Sequence, residues 1–155
     1  MNYIKLLTDV LKARDKEKTR GKKSPYLYGY YEKYGEKYIA IVVDGHALVL
    51  IPEKVFYLDI EKCFDQATPL NVEKMINDDH AVDTYTDGIV KPVGGDPKHK
   101  VQIFSNDKAD IWIAVDLLKL FDLSIAHFKA SDKKSPLYIY EDETLVGLVL
   151  PVNHA

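Results

Sequence analysis

Asp78, Asp79, His80 and Asp83 place three carboxylates and an imidazole within six residues, the donor types that a hard divalent cation takes. Such a site needs several oxygens converging at about 2.0–2.6 Å. No matching ligand spacing recurs elsewhere in the chain, so the cluster reads as a polar helix end and no metal is expected. His46 follows a turn, and no Ser or Cys lies in a nucleophile motif around which a triad could be built. Cys63, in Lys62-Cys63-Phe64, has no partner thiol and reads as a buried or half-buried structural cysteine. Gly94-Gly95 lacks the Lys-Ser/Thr of a phosphate loop. These residues predict neither a catalytic group nor a cofactor, and point to a protein that works through its surfaces.

One such surface is the basic run Lys12, Arg14, Lys16, Lys18, Arg20, Lys22 and Lys23, followed by Tyr26, Tyr28, Tyr30, Tyr31 and Tyr34. Cations for phosphates and rings for stacking are the ingredients of a nucleic-acid interface. The competing reading is a solvated helix end beside a tyrosine-rich strand. The sequence favours that second reading, because 21 Lys+Arg against 24 Asp+Glu leave a net charge of −3.

The elements that would position these groups are clearest at the two ends of the chain. Residues 3–14 set Ile4, Leu7 and Leu11 on one face, flanked by Leu6 and Val10, which predicts an amphipathic helix. Tyr26 to Glu32 is a β-rich run, and Lys33-Tyr34-Gly35-Glu36 is a turn. Tyr38 to Pro52 is then two apolar runs hinged on Asp44-Gly45, a two-residue hairpin link whose residues must both take φ > 0. Both of its strands are apolar on both faces. In the middle, Asp59 caps a short helix over Ile60 to Gln66, and Thr68-Pro69 opens another through Leu70, Val72, Met75 and Ile76. His80 to Thr86 and Ile89 to Val93 read as strands around Asp87-Gly88, Gly94 to Pro97 as a loop, and Val101 to Phe104 as a short strand. Asp110 to Ala114 enters a helix over Asp116 to Phe121, with Asp116 as its cap. Strands at Ser124 to Ala130, Leu137 to Tyr140 and Leu145 to Val152 close the chain, the last two joined by Glu141-Asp-Glu-Thr144.

Lys22-Lys-Ser-Pro25 recurs as Lys133-Lys-Ser-Pro136. Each copy precedes a tyrosine-containing strand, a polar turn and an apolar strand ending at a proline, Pro52 or Pro151. Each also lies downstream of a leucine-rich amphipathic helix. The expected fold is therefore α+β, with antiparallel sheets, two amphipathic helices, and duplicated halves at 1–52 and 109–155 joined by 53–108.

With the halves in view, the chain resembles a domain of the bacterial DNA polymerase sliding clamp. Val43-Asp44-Gly45-His46-Ala47-Leu48 is similar to the family's Thr-Asp-Gly-His-Arg-Leu motif, with Ala47 in place of the arginine. Gly147-Leu-Val-Leu-Pro151-Val152 is similar to the clamp's terminal strand and its Met-Pro-containing tail. The resemblance implies a DNA-clamp-like fold and an apolar peptide pocket at Gly45, His46, Leu48, Leu150, Pro151 and Val152. It also implies homo-oligomerisation, because a lone domain cannot encircle DNA.

At 155 residues the length prior is one domain, which buries roughly 68–70 % of its unfolded surface. Hydrophobic residues at 46 % and charged residues at 29 % are globular values. The single cysteine suits a reducing compartment. The N-terminus is too polar for a signal peptide, and no apolar run approaches the roughly 18 residues of a membrane span, so a cytoplasmic protein is expected. The function expected is non-enzymatic binding: a clamp-like accessory factor of DNA replication or of a phage-type mobile element, touching protein and DNA. The alternative is an inhibitor or regulator that binds a host protein through an acidic, tyrosine-bearing face without contacting DNA.

Overall fold

Asp44 and Gly45 take φ of 52° and 67°, the left-handed pair that the Asp-Gly signal demands. The computed structural model, which describes residues 1–19, 27–64, 70–93 and 96–153, thus confirms the hairpin but lengthens its connection. Val43 pairs with Ala47, so His46 is a third loop residue, although its amide still closes the turn onto the Val43 carbonyl at 3.1 Å. The chain forms two compact units, Met1–Asn77 and Asp78–Ala155, dividing inside the segment 53–108.

The first unit is built around the meander of β1 (Tyr28–Lys33), β2 (Glu36–Val43) and β3 (Ala47–Pro52), all antiparallel. Every residue from Ile39 to Val43 and from Ala47 to Ile51 is buried, so both faces of β2 and β3 are covered. Helix α1 (Tyr3–Thr19) precedes the meander and runs five residues beyond the expected 3–14. Its buried face differs from expectation: Leu6, Leu7 and Val10 are buried while Ile4 is 68 % exposed. After β3 come a 3-10 turn (Glu53–Val55), α2 (Ile60–Cys63) and α3 (Val72–Met75). Asp59 stands at the N-cap of α2 but makes no side-chain cap bond. Thr68 and Pro69 lie outside the described residues. The cap of α3 is Asn71, whose side chain accepts from the Lys74 amide at 3.2 Å. Asn supplies the oxygen an N-cap needs, and the chain enters the helix there, past Leu70.

The second unit carries an antiparallel ladder of β4 (Val82–Asp83), β8 (Ala126–Ala130), β9 (Leu137–Glu141) and β10 (Thr144–Val149). Its separate three-stranded sheet is β5 (Val90–Val93), β6 (Asp96–Ser105) and β7 (Asp110–Ala114). The two strands expected around Asp87-Gly88 belong to different sheets, because β4 pairs with β8 and β5 with β6. Side-chain bonds explain the detour: Asp87 accepts from the Ile89 amide and Thr86 from Gly88, a local loop in place of a strand-joining turn. Gly94 and Gly95 lie outside the described residues. Asp96, expected in that loop, starts β6, and Val101 to Phe104 is the far half of the strand.

The expected second amphipathic helix is one turn, α4 (Val115–Leu118), capped by Ala114 with Asp116 inside its first turn. Leu118 and Phe121 are still buried. Asp122 ends the run by accepting from the Ser124 amide and hydroxyl at 3.2 and 2.6 Å, a local alternative to helix. The order of one helix followed by a three-stranded meander occurs in both units, with a 17-residue helix in the first and a four-residue one in the second.

Candidate functional site

Tyr28, Tyr30 and Tyr31 lie on β1, where the register sets Tyr30 opposite Ile39 and Tyr31 opposite Tyr38. Alternation puts Tyr28 and Tyr30 on one face, their rings edge to face at 6.0 Å, and Tyr31 on the other, 6.2 Å from Tyr38. The two environments differ sharply: Tyr28 is 4 % exposed and Tyr30 57 %. Tyr38 pairs with Pro52, so the chain turns into the 3-10 segment beside it and delivers Glu53 there. From beyond the strand, α3 delivers Glu73.

What lets α3 approach is Gly29, between the two rings. A Cβ at Gly29 would stand 3.0 Å from Val72 Cγ2 and 3.1 Å from the Leu70 carbonyl oxygen, tighter than ordinary contact, so glycine lets the segment approach this closely without displacement. Two cavities result, sharing Tyr30 and Glu73. One of about 480 Å³ is lined by Tyr30, Tyr31, Glu32, Lys37, Tyr38, Glu53 and Glu73. The other, about 330 Å³, has Leu70, Asn71 and Val72 beside Tyr30 and Glu73. Among the described residues, Glu32, Glu53 and Glu73 have no ion-pair partner, whereas nearby Glu36 has Lys54 at 3.8 Å.

Burial pushes the Tyr28 phenol above its ordinary 10.0, and the neighbouring Tyr30 and the carboxylates of Glu61 and Asp59 add to the shift. A pKa raised in the folded state gives stability that is complete below the unfolded value and is lost as pH climbs through the folded one. Alkaline titration followed by circular dichroism should therefore show folding weakening above about pH 10. In Tyr28→Phe that loss should be shallower, and an unchanged slope would show that Tyr28 contributes none of it.

The basic run divides. Arg14 is committed to structure: its guanidinium donates to the Cys63 carbonyl, pairs with Asp15 at 2.8 Å and lies 5.7 Å from the Phe64 ring centre. It therefore presents little to a phosphate. Lys12 and Lys16 are exposed on α1. The Lys18 side chain and Arg20, Lys22 and Lys23 lie outside the described residues.

Of the residues implied by the clamp resemblance, Gly45 and His46 are exposed in the β2–β3 turn, where His46 Nδ1 is 2.6 Å from the Asp44 carbonyl oxygen. Leu48 is fully buried in β3 and offers no open surface. In the second unit Leu150 is exposed and Pro151 and Val152 are half-buried, the Val152 amide donating to the Trp112 carbonyl at 2.7 Å.

Asp78 is the half-buried member of the acidic cluster and accepts a hydrogen bond from the Tyr140 hydroxyl, while Asp79, His80 and Asp83 are exposed. Among the described residues no three of His, Cys, Asp and Glu gather as metal ligands. Cys63 is half-buried at the end of α2. No helix of the described residues is long and apolar enough to cross a membrane.

Glu53, Glu73 and Tyr38 escape sequence reasoning as site residues. They come from three elements with no shared local pattern, and only the fold brings them to Tyr30. Comparison of the chain with protein-family models, with curated proteins and with solved structures returns no match.

Proposed function

We propose that this chain is a non-enzymatic binding protein whose working surface is the tyrosine and carboxylate groove of its first unit, and whose target is another protein. The observation that carries this reading is that the exposed ring of Tyr30 and the half-buried rings of Tyr31 and Tyr38 share one open cavity with three carboxylates that have no ion-pair partner among the described residues. Tyrosine supplies a large rigid contact at small entropic cost, which is why it is enriched in protein interfaces. The carboxylates also repel phosphates, so the groove favours the regulator or inhibitor reading over a DNA surface. The test is capture from a cytoplasmic host lysate on immobilised protein, wild type beside Tyr30→Ala/Glu73→Gln. Proteins retained by the wild type alone support the proposal, and identical retention by both overturns it.

A second reading, a clamp-like accessory factor in replication or a phage-type element, is supported by the helix-then-meander order and by exposed Lys12 and Lys16. It requires homo-oligomers that close around DNA, and a monomer in light scattering would remove the encircling form. It also predicts a salt-dependent DNA affinity whose log–log slope falls by about 0.9 for each phosphate that Lys12→Ala or Lys16→Ala leaves unneutralised. Retention with an unaltered slope would show that these lysines are merely solvated.

A further inference from the structure

We propose that the groove between β1, the 3-10 turn and α3 recognises arginine side chains of an extended basic peptide, an inference that rests on the protein-binding reading above. Charge complementarity names the occupant. Glu32, Glu53 and Glu73 line the larger cavity with the single ammonium of Lys37, and none of the three has an ion-pair partner among the described residues. A ring face adds a second attraction for the same ligand, because the quadrupole of tyrosine draws a cation within about 6 Å of its centre.

The chain uses this contact repeatedly for itself. Lys91 sits 3.9 Å from the Trp112 centroid, Lys129 5.1 Å from Tyr140, and Lys33 5.4 Å from Tyr34. Among the described residues Tyr30 and Tyr38 have no such cation, although both line the cavity with the carboxylates, Tyr30 from one face of the strands and Tyr38 from the other. Arginine fits better than lysine: its planar guanidinium stacks on a ring and forks onto a carboxylate at once. The adjoining cavity at Leu70 and Val72 is apolar on one side, so it suits a neighbouring aliphatic residue of the same peptide. An isolated small cation would leave that half of the groove unused.

The probe is a fluorescein-labelled Gly-Ser peptide with a central Arg-Leu-Arg, set against the same peptide with citrulline for both arginines. Citrulline keeps the shape and removes the charge. Anisotropy should show the arginine peptide binding at least about tenfold more tightly than the citrulline one, in line with a desolvated cation–π contact joined by ion pairs. Tyr30→Ala should weaken it by about three- to thirtyfold, the range spanned by exposed to desolvated cation–π contacts. Glu53→Gln and Glu73→Gln should each weaken it, and Glu36→Gln, outside the groove and already paired with Lys54, should not.

Equal affinity for both peptides, or an equal effect of Glu36→Gln, overturns the proposal in favour of adventitious attraction to an acidic protein. Self-association that Glu73→Gln abolishes would make the occupant a second copy of this chain and also overturn it. If the arginine peptide fails while lysate capture still depends on Tyr30, the partner is a protein of other chemistry and only this inference falls. If capture is indifferent as well, both fall.

Discussion

Leu7→Ala should lower the unfolding free energy by about 2–5 kcal/mol, whereas Ile4→Ala, one turn away on the same helix, should change it by no more than about 0.5 kcal/mol. Leu7 is fully buried and Ile4 is 68 % exposed, so only the first substitution leaves a cavity. Chemical denaturation of the two variants beside wild type, with equal m-values, measures the difference directly. Equal losses would mean that α1 packs on the Ile4–Leu7–Leu11 face after all.

The reason that face misled is instructive. At about 100° per residue, Arg14, Tyr3, Val10 and Leu6 fall roughly 20°, 40°, 60° and 100° to one side of Leu7 on the cylinder, while Leu11 and Ile4 fall roughly 40° and 60° to the other. A pattern drawn from apolar letters alone counts Arg14 as solvent-facing and pulls the stripe toward Ile4. In the fold Arg14 is on the inner side, its side chain 14 % exposed, because the Cys63 carbonyl and the Phe64 ring receive it. Arginine can be half-buried when its stem packs and its head finds partners, and no local pattern announces those partners.

Elsewhere legibility follows the range of the interaction. The Tyr34-Gly35 and Asp44-Gly45 turns and the Glu141–Thr144 turn, where Asp142 takes φ 54°, are set by residues adjacent in sequence and were readable there. So were the apolar runs on either side of Asp44-Gly45, and with them the α+β class with antiparallel sheets. The strand partners of β4 and β5 were not readable. Val82 pairs with Ala130 and Val90 with Gln102, and contacts between residues far apart in sequence, such as the Phe104 and Phe128 rings centred 4.8 Å apart, leave no local pattern to read. The candidate site shows the same division. Its tyrosines were visible as a cluster, but the run that precedes them in sequence is mostly cationic, whereas in space Glu53 and Glu73 join Glu32 beside them against the one ammonium of Lys37. That exchange turns the expected chemistry from phosphate binding toward the binding of positive charge.

The second large effect is expected at Gly29. Replacing a strand glycine by alanine ordinarily helps by about 0.5–1 kcal/mol, because the unfolded chain loses freedom. Here the added methyl group meets Val72 Cγ2 at 3.0 Å and the Leu70 backbone oxygen at 3.1 Å. Val72 is 2 % exposed, and a carbonyl oxygen moves only with its chain, so the segment from Leu70 into α3 must give by a few tenths of an ångström. Overpacking of this kind costs about 1–3 kcal/mol, so after the glycine gain the net expectation is a loss of up to about 2.5 kcal/mol. Because α3 carries Glu73 and borders both cavities, the same displacement should weaken the arginine peptide while the protein remains folded. Gly29→Ala/Val72→Ala makes the assignment specific. It removes the methyl that the new Cβ strikes, so part of the peptide affinity should return even though a second core residue has been trimmed. A Gly29→Ala variant with wild-type stability and wild-type affinity would show that α3 does not rest on this strand, and would dissolve the groove that the binding proposal needs.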